Sequence, residues 1–270
     1  SGCPSYSCQN ATFEYQEKGE KTQRGRKSMI TSYMYTNVGG RKVNEDSCIT
    51  LEDGKEKCYV LCDGLGGHGK GEVASGMVTE VFDQCYHAGV SKPDQFIADT
   101  LMVAQSMLLS EQIAQKAQDE MKTTATAVLI SEDTVYRGYI GDSRIYVFKK
   151  NKVKERTLDH SVPQMLVMAR EIKEKDIRNH PDRNRLLKVM GIEWEEPAFK
   201  IEEPLGTDEC QAILMCSDGF WELITEKEMC KILKKSNTVQ EWIEKMAEVV
   251  HENGKDKNMD NNSAIGIWIG

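Results

Sequence analysis

The sequence has no excess of positive charge. Its 35 Lys and Arg residues are outnumbered by 43 Asp and Glu residues, which gives a formal net charge of −8 at pH 7. Nucleic-acid binding depends on basic side chains that neutralise phosphates, so this composition argues against nucleic acid as a partner. An acidic balance by itself mostly reflects solubility and identifies no partner.

Long apolar segments are also missing. No stretch contains the roughly 20 consecutive apolar residues that a membrane-spanning helix needs. The segment from Ser1 to Asn10 does not combine a charged stretch with an apolar one, so no secretory signal is visible. We therefore predict a cytoplasmic protein that does not bind membranes.

The usual ligand patterns of a zinc site are absent as well. The sequence has no pair of His residues four positions apart and no Cys-x-x-Cys motif. The number of cysteines is odd, nine, and several lie inside apolar runs, among them Cys58, Cys62 and Cys216. This placement predicts buried, reduced thiols rather than a disulfide framework.

The sequence does contain enough apolar residues for one core. With 270 residues, 39% of them hydrophobic, a single domain is the ordinary expectation. Residues 1–27 are polar and charged, with little periodicity, and predict a mobile extension. The domain is therefore expected to span residues 28–270.

Apolar runs and turn residues predict the order of the elements. Strands are expected near residues 29–35, 47–51, 58–62, 124–130, 135–140, 144–148, 212–216 and 263–269. Helical spacing predicts helices near 73–85 and 96–117, and capping-box patterns predict two more, after Thr225 and after Thr238. Because strands come as hairpins and helices come in pairs, the pattern is α+β rather than alternating βαβ.

Acidic residues recur at the predicted ends of strands. Asp63 and Asp218 each follow an apolar run and precede a glycine, and Asp142 follows a glycine. Asp260 lies just before the last strand, and Asp46 lies at the start of another. Carboxylates at strand ends can converge on Mg²⁺ or Mn²⁺, which prefer oxygen ligands. A single Asp-Gly pair is usually a turn, so the prediction of a metal centre depends on the whole set.

Six motifs follow one another along the chain: the segments 41–46 with 60–68, Thr123-Thr124, 140–144, 159–161 with 180–184, 216–219 and 260–263. In this order they resemble the motifs of the bacterial PP2C (PPM) family of metal-dependent serine/threonine protein phosphatases. The resemblance covers roughly residues 28–270. It implies an α-β-β-α sandwich, with two central antiparallel sheets between helix pairs and a flap at about residues 157–190.

The resemblance also implies a set of metal ligands. Asp63 would bridge two core Mn²⁺ or Mg²⁺ ions, and Gly64 would offer its backbone carbonyl. Asp218 and Asp260 would complete the core site, and Asp142 would help to hold a weaker third ion.

Further roles follow from the same motifs. Glu45 and Asp46 would act mainly through water on the metals, and Arg41 would hold the substrate phosphate. His68 would be a general acid, although a glycine insert separates it from Asp63-Gly64 and an ordinary loop histidine stays open. Members of the family usually carry a glycine in the flap about where this chain reads Met168-Ala169-Arg170-Glu171. Arg170 therefore leaves substrate choice and third-metal binding open.

The predicted reaction is hydrolysis of phosphoserine and phosphothreonine in proteins by a water activated between two metal ions. The predicted partners are phosphorylated proteins, substrates of a bacterial Ser/Thr kinase, and the predicted state is a monomer. Whether the substrate range is broad or restricted to an anti-sigma-antagonist type of partner stays open, as does the choice between Mg²⁺ and Mn²⁺.

Two alternatives remain at this point. Residues 64–70 satisfy the P-loop pattern G-x-x-x-x-G-K, but position 71 is Gly where a Ser or Thr hydroxyl is needed for Mg²⁺. A P-loop nucleotide hydrolase would also leave Asp46, Asp142 and Asp260 unexplained. A non-catalytic adaptor with the PP2C fold should have lost metal carboxylates, and this chain keeps all of them.

Overall fold

The computed structural model describes residues 29–65, 70–117, 120–255 and 257–270. The predicted extension, residues 1–27, and the candidate general acid His68 lie outside these ranges. Among the described residues, every helix is too short or too polar to span a lipid bilayer.

The strands of the described residues form two antiparallel sheets. The first sheet has the order β1-β11-β10-β7-β8, and the second has the order β2-β3-β5-β6-β9 with the short β4 paired to β3. The strands are β1 (Ile30–Asn37), β2 (Asp46–Leu51), β3 (Lys57–Leu65), β4 (Lys122–Thr123), β5 (Ala125–Ser131), β6 (Thr134–Ile140), β7 (Arg144–Lys149), β8 (Lys152–Arg156), β9 (Lys200–Gly206), β10 (Ala212–Cys216) and β11 (Asn262–Ile269). A P-loop hydrolase needs parallel βαβ units, and every strand pair in the described ranges is antiparallel, so that alternative is excluded.

Helices cover the outer face of each sheet. The helices are α1 (Gly71–Ala88), α2 (Pro93–Gln115), α3 (Val162–Met168), α4 (Asp218–Trp221), α5 (Glu226–Leu233) and α6 (Val239–Gly254). Helices α1 and α2 pack on the second sheet, and α4, α5 and α6 pack on the first. The resulting α-β-β-α order is the predicted one.

The central strands are buried on both faces, which explains their continuous apolar runs. In β3, Cys58, Val60 and Cys62 pack against the helices, while Tyr59 and Leu61 pack between the two sheets. Alternate residues of a strand point to opposite faces, so both sets must be apolar here. All five side chains are fully buried, and they place the end of β3 at one edge of the sandwich.

Four details differ from the sequence predictions. Strand β3 continues through Asp63 to Leu65, so Asp63 lies inside a strand rather than at its end. Asp218 opens the short helix α4 rather than a glycine turn. The strands β8 and β9 were not predicted. The second capping box is half formed, because Thr238 accepts from the Glu241 N–H while the Glu241 carboxylate accepts from Asn237.

The flap, residues 157–190, contains helix α3 and a 3₁₀ segment at Glu174–Asn179, and no strand. Arg170, whose effect on the flap the resemblance left open, has a φ of +63°. This left-handed conformation normally favours glycine. Arg170 adopts this conformation although it is not a glycine, and its side chain is exposed.

Candidate active site

Two neighbouring strands bring the first pair of carboxylates together. Asp46 begins β2 and is the register partner of Asp63 in β3. The Gly64 N–H donates to the carbonyl of Glu45 at 3.0 Å. A Cβ at Gly64 would lie 2.6 Å from that same carbonyl oxygen and 2.3 Å from that of Gly71. Only glycine therefore allows this approach beside Asp63.

The Thr123-Thr124 pair fixes the backbone of Asp63. The Asp63 N–H donates to the Thr124 hydroxyl at 3.0 Å, and the Asp63 carbonyl accepts from the Thr124 N–H and the Thr123 hydroxyl, each at 2.9 Å. Both threonines are fully buried. The position of the Asp63 backbone is thus set by groups other than its own carboxylate.

Asp142 lies in the tight turn between β6 and β7. Gly141 has a φ of +102°, and a Cβ there would lie 2.5 Å from the Thr124 side chain. The Asp142 carbonyl accepts a hydrogen bond from the Trp221 indole N–H at 3.0 Å. The turn that carries Asp142 thus packs against Thr124 on one side and is hydrogen-bonded to α4 on the other.

Asp218 and Asp260 approach each other through a second glycine. A Cβ at Gly219 would lie 2.1 Å from the Asn261 carbonyl oxygen and 3.2 Å from the Asp260 Cβ. Ser217, which precedes α4, donates to Asp46 Oδ2 at 2.9 Å and accepts from the Ser263 N–H at 3.0 Å. The start of α4 is therefore joined both to β2 and to the segment before β11.

Asn261 organises the loop that carries Arg41. Its side-chain amide donates to the carbonyls of Val38 and Val43, and its oxygen accepts from the Glu45 N–H at 2.9 Å. Arg41 Nη2 then donates to Asp260 Oδ2 at 2.8 Å, and both side chains are about half exposed. The guanidinium thus reaches the acidic cluster from the solvent side.

Burial dominates the electrostatics of this cluster. It raises the pKa of Asp63 and Asp142 well above the ordinary value, and nearby carboxylates raise both further. Burial raises the pKa of Asp46 to about 7 and that of Asp218 to about 6, with neighbouring aspartates adding to each rise. The pKa of Glu45 is also raised, by burial first and then by Glu72. The fold therefore places several carboxyl groups close together here without enough positive charge beside them to favour their ionised form.

These shifts predict a pH dependence of the stability of the metal-free protein. The same carboxyls titrate near pH 3.9 in an unfolded chain, so from about pH 4 to 7 the native state holds more protons than the unfolded state. Stability therefore falls as pH rises through this window. We expect a melting temperature about 5 °C higher at pH 5.5 than at pH 7.5 in chelator, measured by calorimetry. Asp46→Asn should flatten this dependence, and a melting temperature that rises with pH would contradict the assignment.

Comparisons with known proteins agree with this geometry. A model of the family described as protein phosphatase 2C matches residues 37–262. The chain belongs to the protein phosphatase 2C family.

Individual members of the phosphatase family match most of the chain. The serine/threonine phosphatase stp of Listeria innocua is 30% identical over 207 residues, which cover 74% of this chain and 81% of the relative. The solved structure of the serine/threonine phosphatase Stp1 from Staphylococcus aureus has a TM-score of 0.82 and 26% identity, over 90% of this chain and 96% of that one. These findings confirm the predicted family, the predicted fold class and a protein phosphatase.

A third neighbour carries metal. The catalytic domain of the phosphatase PstP, solved in complex with two manganese ions, has a TM-score of 0.74 and 21% identity, over 89% of this chain and 98% of that one. At this identity the likeness shows the fold alone. Dependence on a divalent metal is general to the 2C family, and the number of ions in this phosphatase stays a prediction.

The donor set fits a hard divalent cation. All five candidate aspartates lie at one edge of the sandwich, and the buried Asp46 Oδ1 and Glu72 Oε2 have no hydrogen-bond partner. Among the described residues, however, no three His, Cys, Asp or Glu side chains are already arranged to hold an ion. Asp46 is hydrogen-bonded to Ser217 and Asp260 to Arg41. A cation that bound the same carboxylate oxygens would replace these contacts.

A cleft of about 160 Å³ opens beside the cluster. Its lining includes three basic residues, Arg41, Arg183 and Lys257, next to Asp218 and Asp260. Arg183 comes from the flap, so the cleft joins the flap to the candidate metal ligands. Its mixed charge suits a phosphate group held beside metal ions.

The acidic residues were predicted from the sequence, but the roles of the residues that hold them were not. Those residues are Ser217, Trp221 and Asn261. Ser217 and Asn261 lie inside the segments 216–219 and 260–263, next to Asp218 and Asp260. Their contacts gave no signal in the sequence, since they join distant parts of the chain.

Proposed function

We propose that this phosphatase hydrolyses phosphoserine and phosphothreonine in proteins with the help of Mn²⁺ or Mg²⁺. The observation that carries the proposal is the buried group of four aspartates with raised pKa values, Asp46, Asp63, Asp142 and Asp218, gathered from four separate segments of a chain that belongs to the 2C family. Such a group is costly to ionise unless cations neutralise it.

The proposed ligands divide into a core set and an outer set. Asp63, the Gly64 carbonyl, Asp218 and Asp260 would hold two core ions. Asp142 would help to hold a third, weaker ion. Glu45 and Asp46 would act through water. When bound, the ions would supply a nucleophilic water at neutral pH and offset the charge of the phosphate.

Residues of the cleft would bind the phosphate group of the substrate. Arg41 reaches the cluster from solvent, and its planar guanidinium can bind two oxygens of a phosphate. Arg183 and Lys257 add positive charge to the lining of the cleft. Together they would hold the dianion in place beside carboxylates that would otherwise repel it. His68 stays a candidate general acid.

The proposal makes a direct prediction about metal. Activity towards para-nitrophenyl phosphate and a phosphothreonine peptide should be absent in chelator and return when Mn²⁺ or Mg²⁺ is added singly. Zn²⁺ and Ca²⁺ are the control ions, and we expect neither to restore the activity when it is added in the same way. Full turnover in a sample verified to be free of metal would contradict the mechanism, and metal binding without turnover of either substrate would favour the adaptor alternative.

Substrates of a bacterial Ser/Thr kinase are the partners that we propose. The named relatives are serine/threonine phosphatases from bacteria, which supports this class of substrate. The monomeric state and the cytoplasmic location remain predictions. The seven described cysteines are free, which agrees with predicted reduced thiols.

A further inference from the structure

Trp221, the last residue of α4, is the point where the two halves of the flap meet the body of the phosphatase. From the 3₁₀ segment of the flap, Arg178 Nε donates to the Trp221 carbonyl at 3.1 Å. Arg178 Nη2 donates to the Ile224 carbonyl at 3.1 Å and to Glu226 Oε1 at 2.8 Å. One largely buried flap side chain therefore binds three groups at the end of α4 and the start of α5.

The beginning of the flap reaches the same tryptophan through Arg144. The guanidinium carbon of Arg144 lies 3.4 Å from the centroid of the Trp221 ring. Asp159, at the start of the flap, accepts from Arg144 Nε at 2.8 Å and from Nη2 at 2.7 Å. Both side chains of this bidentate pair are almost completely buried. An ion pair with this geometry and burial fixes the position of the guanidinium.

Trp221 in turn contacts one candidate metal ligand and lies in the same helical turn as another. Its indole N–H donates to the Asp142 carbonyl at 3.0 Å. Helix α4 is a single turn that begins at Asp218. A single turn has little stability of its own, and carbonyls near the end of a helix lack partners within it. The position of Asp218 therefore depends on contacts such as those that Arg178 makes with the other end of the same turn.

We propose that Arg178 is a positioning residue that couples the flap to Asp218 and Asp142 through Trp221. The inference rests on the proposed function, because it takes both aspartates as metal ligands. A coupling of this kind acts equally in both directions. An anchored flap raises the affinity for metal, and bound metal reduces the local opening of the flap.

The test compares three variants in the full chain. Arg178→Ala removes the three hydrogen bonds of the guanidinium. Arg178→Lys keeps the positive charge but lacks the planar guanidinium. Arg185→Ala is the matched control, because Arg185 is an exposed flap arginine whose only ion pair in the described residues, with Asp182, spans 3.6 Å. Mn²⁺ affinity is measured by calorimetry without substrate. Hydrogen exchange of residues 174–180 is measured with and without Mn²⁺.

We expect Arg178→Ala to weaken Mn²⁺ binding about 5- to 50-fold, which lies within the usual range of coupling between sites. Arg178→Lys should recover part of this loss, and Arg185→Ala should stay within about twofold of wild type. Mn²⁺ should slow exchange of the 174–180 amides in wild type and in Arg185→Ala, but not in Arg178→Ala.

Several outcomes separate this inference from the proposed function. A folded Arg178→Ala protein that binds Mn²⁺ as tightly as wild type would overturn the coupling. If that variant does not fold, the coupling is tested by hydrogen exchange of the wild-type protein. Amides of the flap that exchange at the same rate with and without Mn²⁺ would show that the flap is not coupled to the metal. A wild-type protein that binds no Mn²⁺ at all would instead contradict the proposed function.

Discussion

Asp63→Ala is expected to lower the turnover of a phosphothreonine peptide by at least about 10³-fold at saturating Mn²⁺. Metal ions contribute several kcal/mol to catalysis, and each 1.36 kcal/mol is a factor of ten in rate. Asp63 is the proposed bridge between the two core ions, so its loss should remove both from their working positions. Turnover is measured as released phosphate, and Asp63→Asn should behave like Asp63→Ala because an amide does not replace a bridging carboxylate.

The same variant should remain folded. The Asp63 backbone is held by Thr123 and Thr124, and these bonds do not involve the carboxylate. Without metal, removal of a buried charge that other carboxylates repel should keep or raise the melting temperature. In saturating Mn²⁺ the order should reverse, because an ion bound to the native state stabilises wild type. An Asp63→Asn protein that unfolds with and without metal would show that Asp63 is structural.

Arg41→Ala is expected to raise the KM for a phosphothreonine peptide by roughly 10- to 150-fold. A hydrogen bond to a charged group contributes about 1.5–3 kcal/mol, which corresponds to this range. If Arg41 holds the phosphate equally in the ground state and the transition state, kcat should change much less. Steady-state kinetics over a range of peptide concentrations separates the two constants.

Two variants control this experiment. Arg41→Lys should recover part of the loss, because an ammonium keeps the charge but not the planar fork. Lys42→Ala changes an exposed cation in the same loop and should have a small effect. Metal affinity should not fall in Arg41→Ala, since the ion pair with Asp260 competes with a cation for that carboxylate. A KM within twofold of wild type would mean that the metals hold the phosphate without Arg41.

The strands inside the two sheets were predicted, and so were the edge strands β1 and β2, whereas the edge strands β8 and β9 were missed. The apolar run at 212–216 coincides with β10, whose five residues are all buried. The edge strand β8 has the sequence KVKER, and the edge strand β9 has KIEEPLG, with Pro204 inside it. Charged residues and proline are tolerated on edge strands because one side makes no ladder bonds. Their polar composition therefore resembles that of loops.

The candidate metal ligands could be predicted from the sequence, but the residues that position them could not. Carboxylates beside glycines and apolar runs pointed to Asp63, Asp142, Asp218 and Asp260. Ser217 and Asn261 carry no such pattern, although they join β2, α4 and the Arg41 loop. Their partners are up to 223 residues away in the sequence. Hydrogen bonds of this kind become visible only when the pairing of distant strands is known.

The aspartate cluster is proposed to hold the catalytic divalent ions. A crystal grown with Mn²⁺ and measured at the manganese absorption edge tests this assignment, because anomalous peaks locate the metal without assumptions about mechanism. We expect two strong peaks between Asp63, Asp218 and Asp260, and a weaker one near Asp142. Peaks confined to other parts of the surface, in crystals of protein that is active with Mn²⁺, would contradict it.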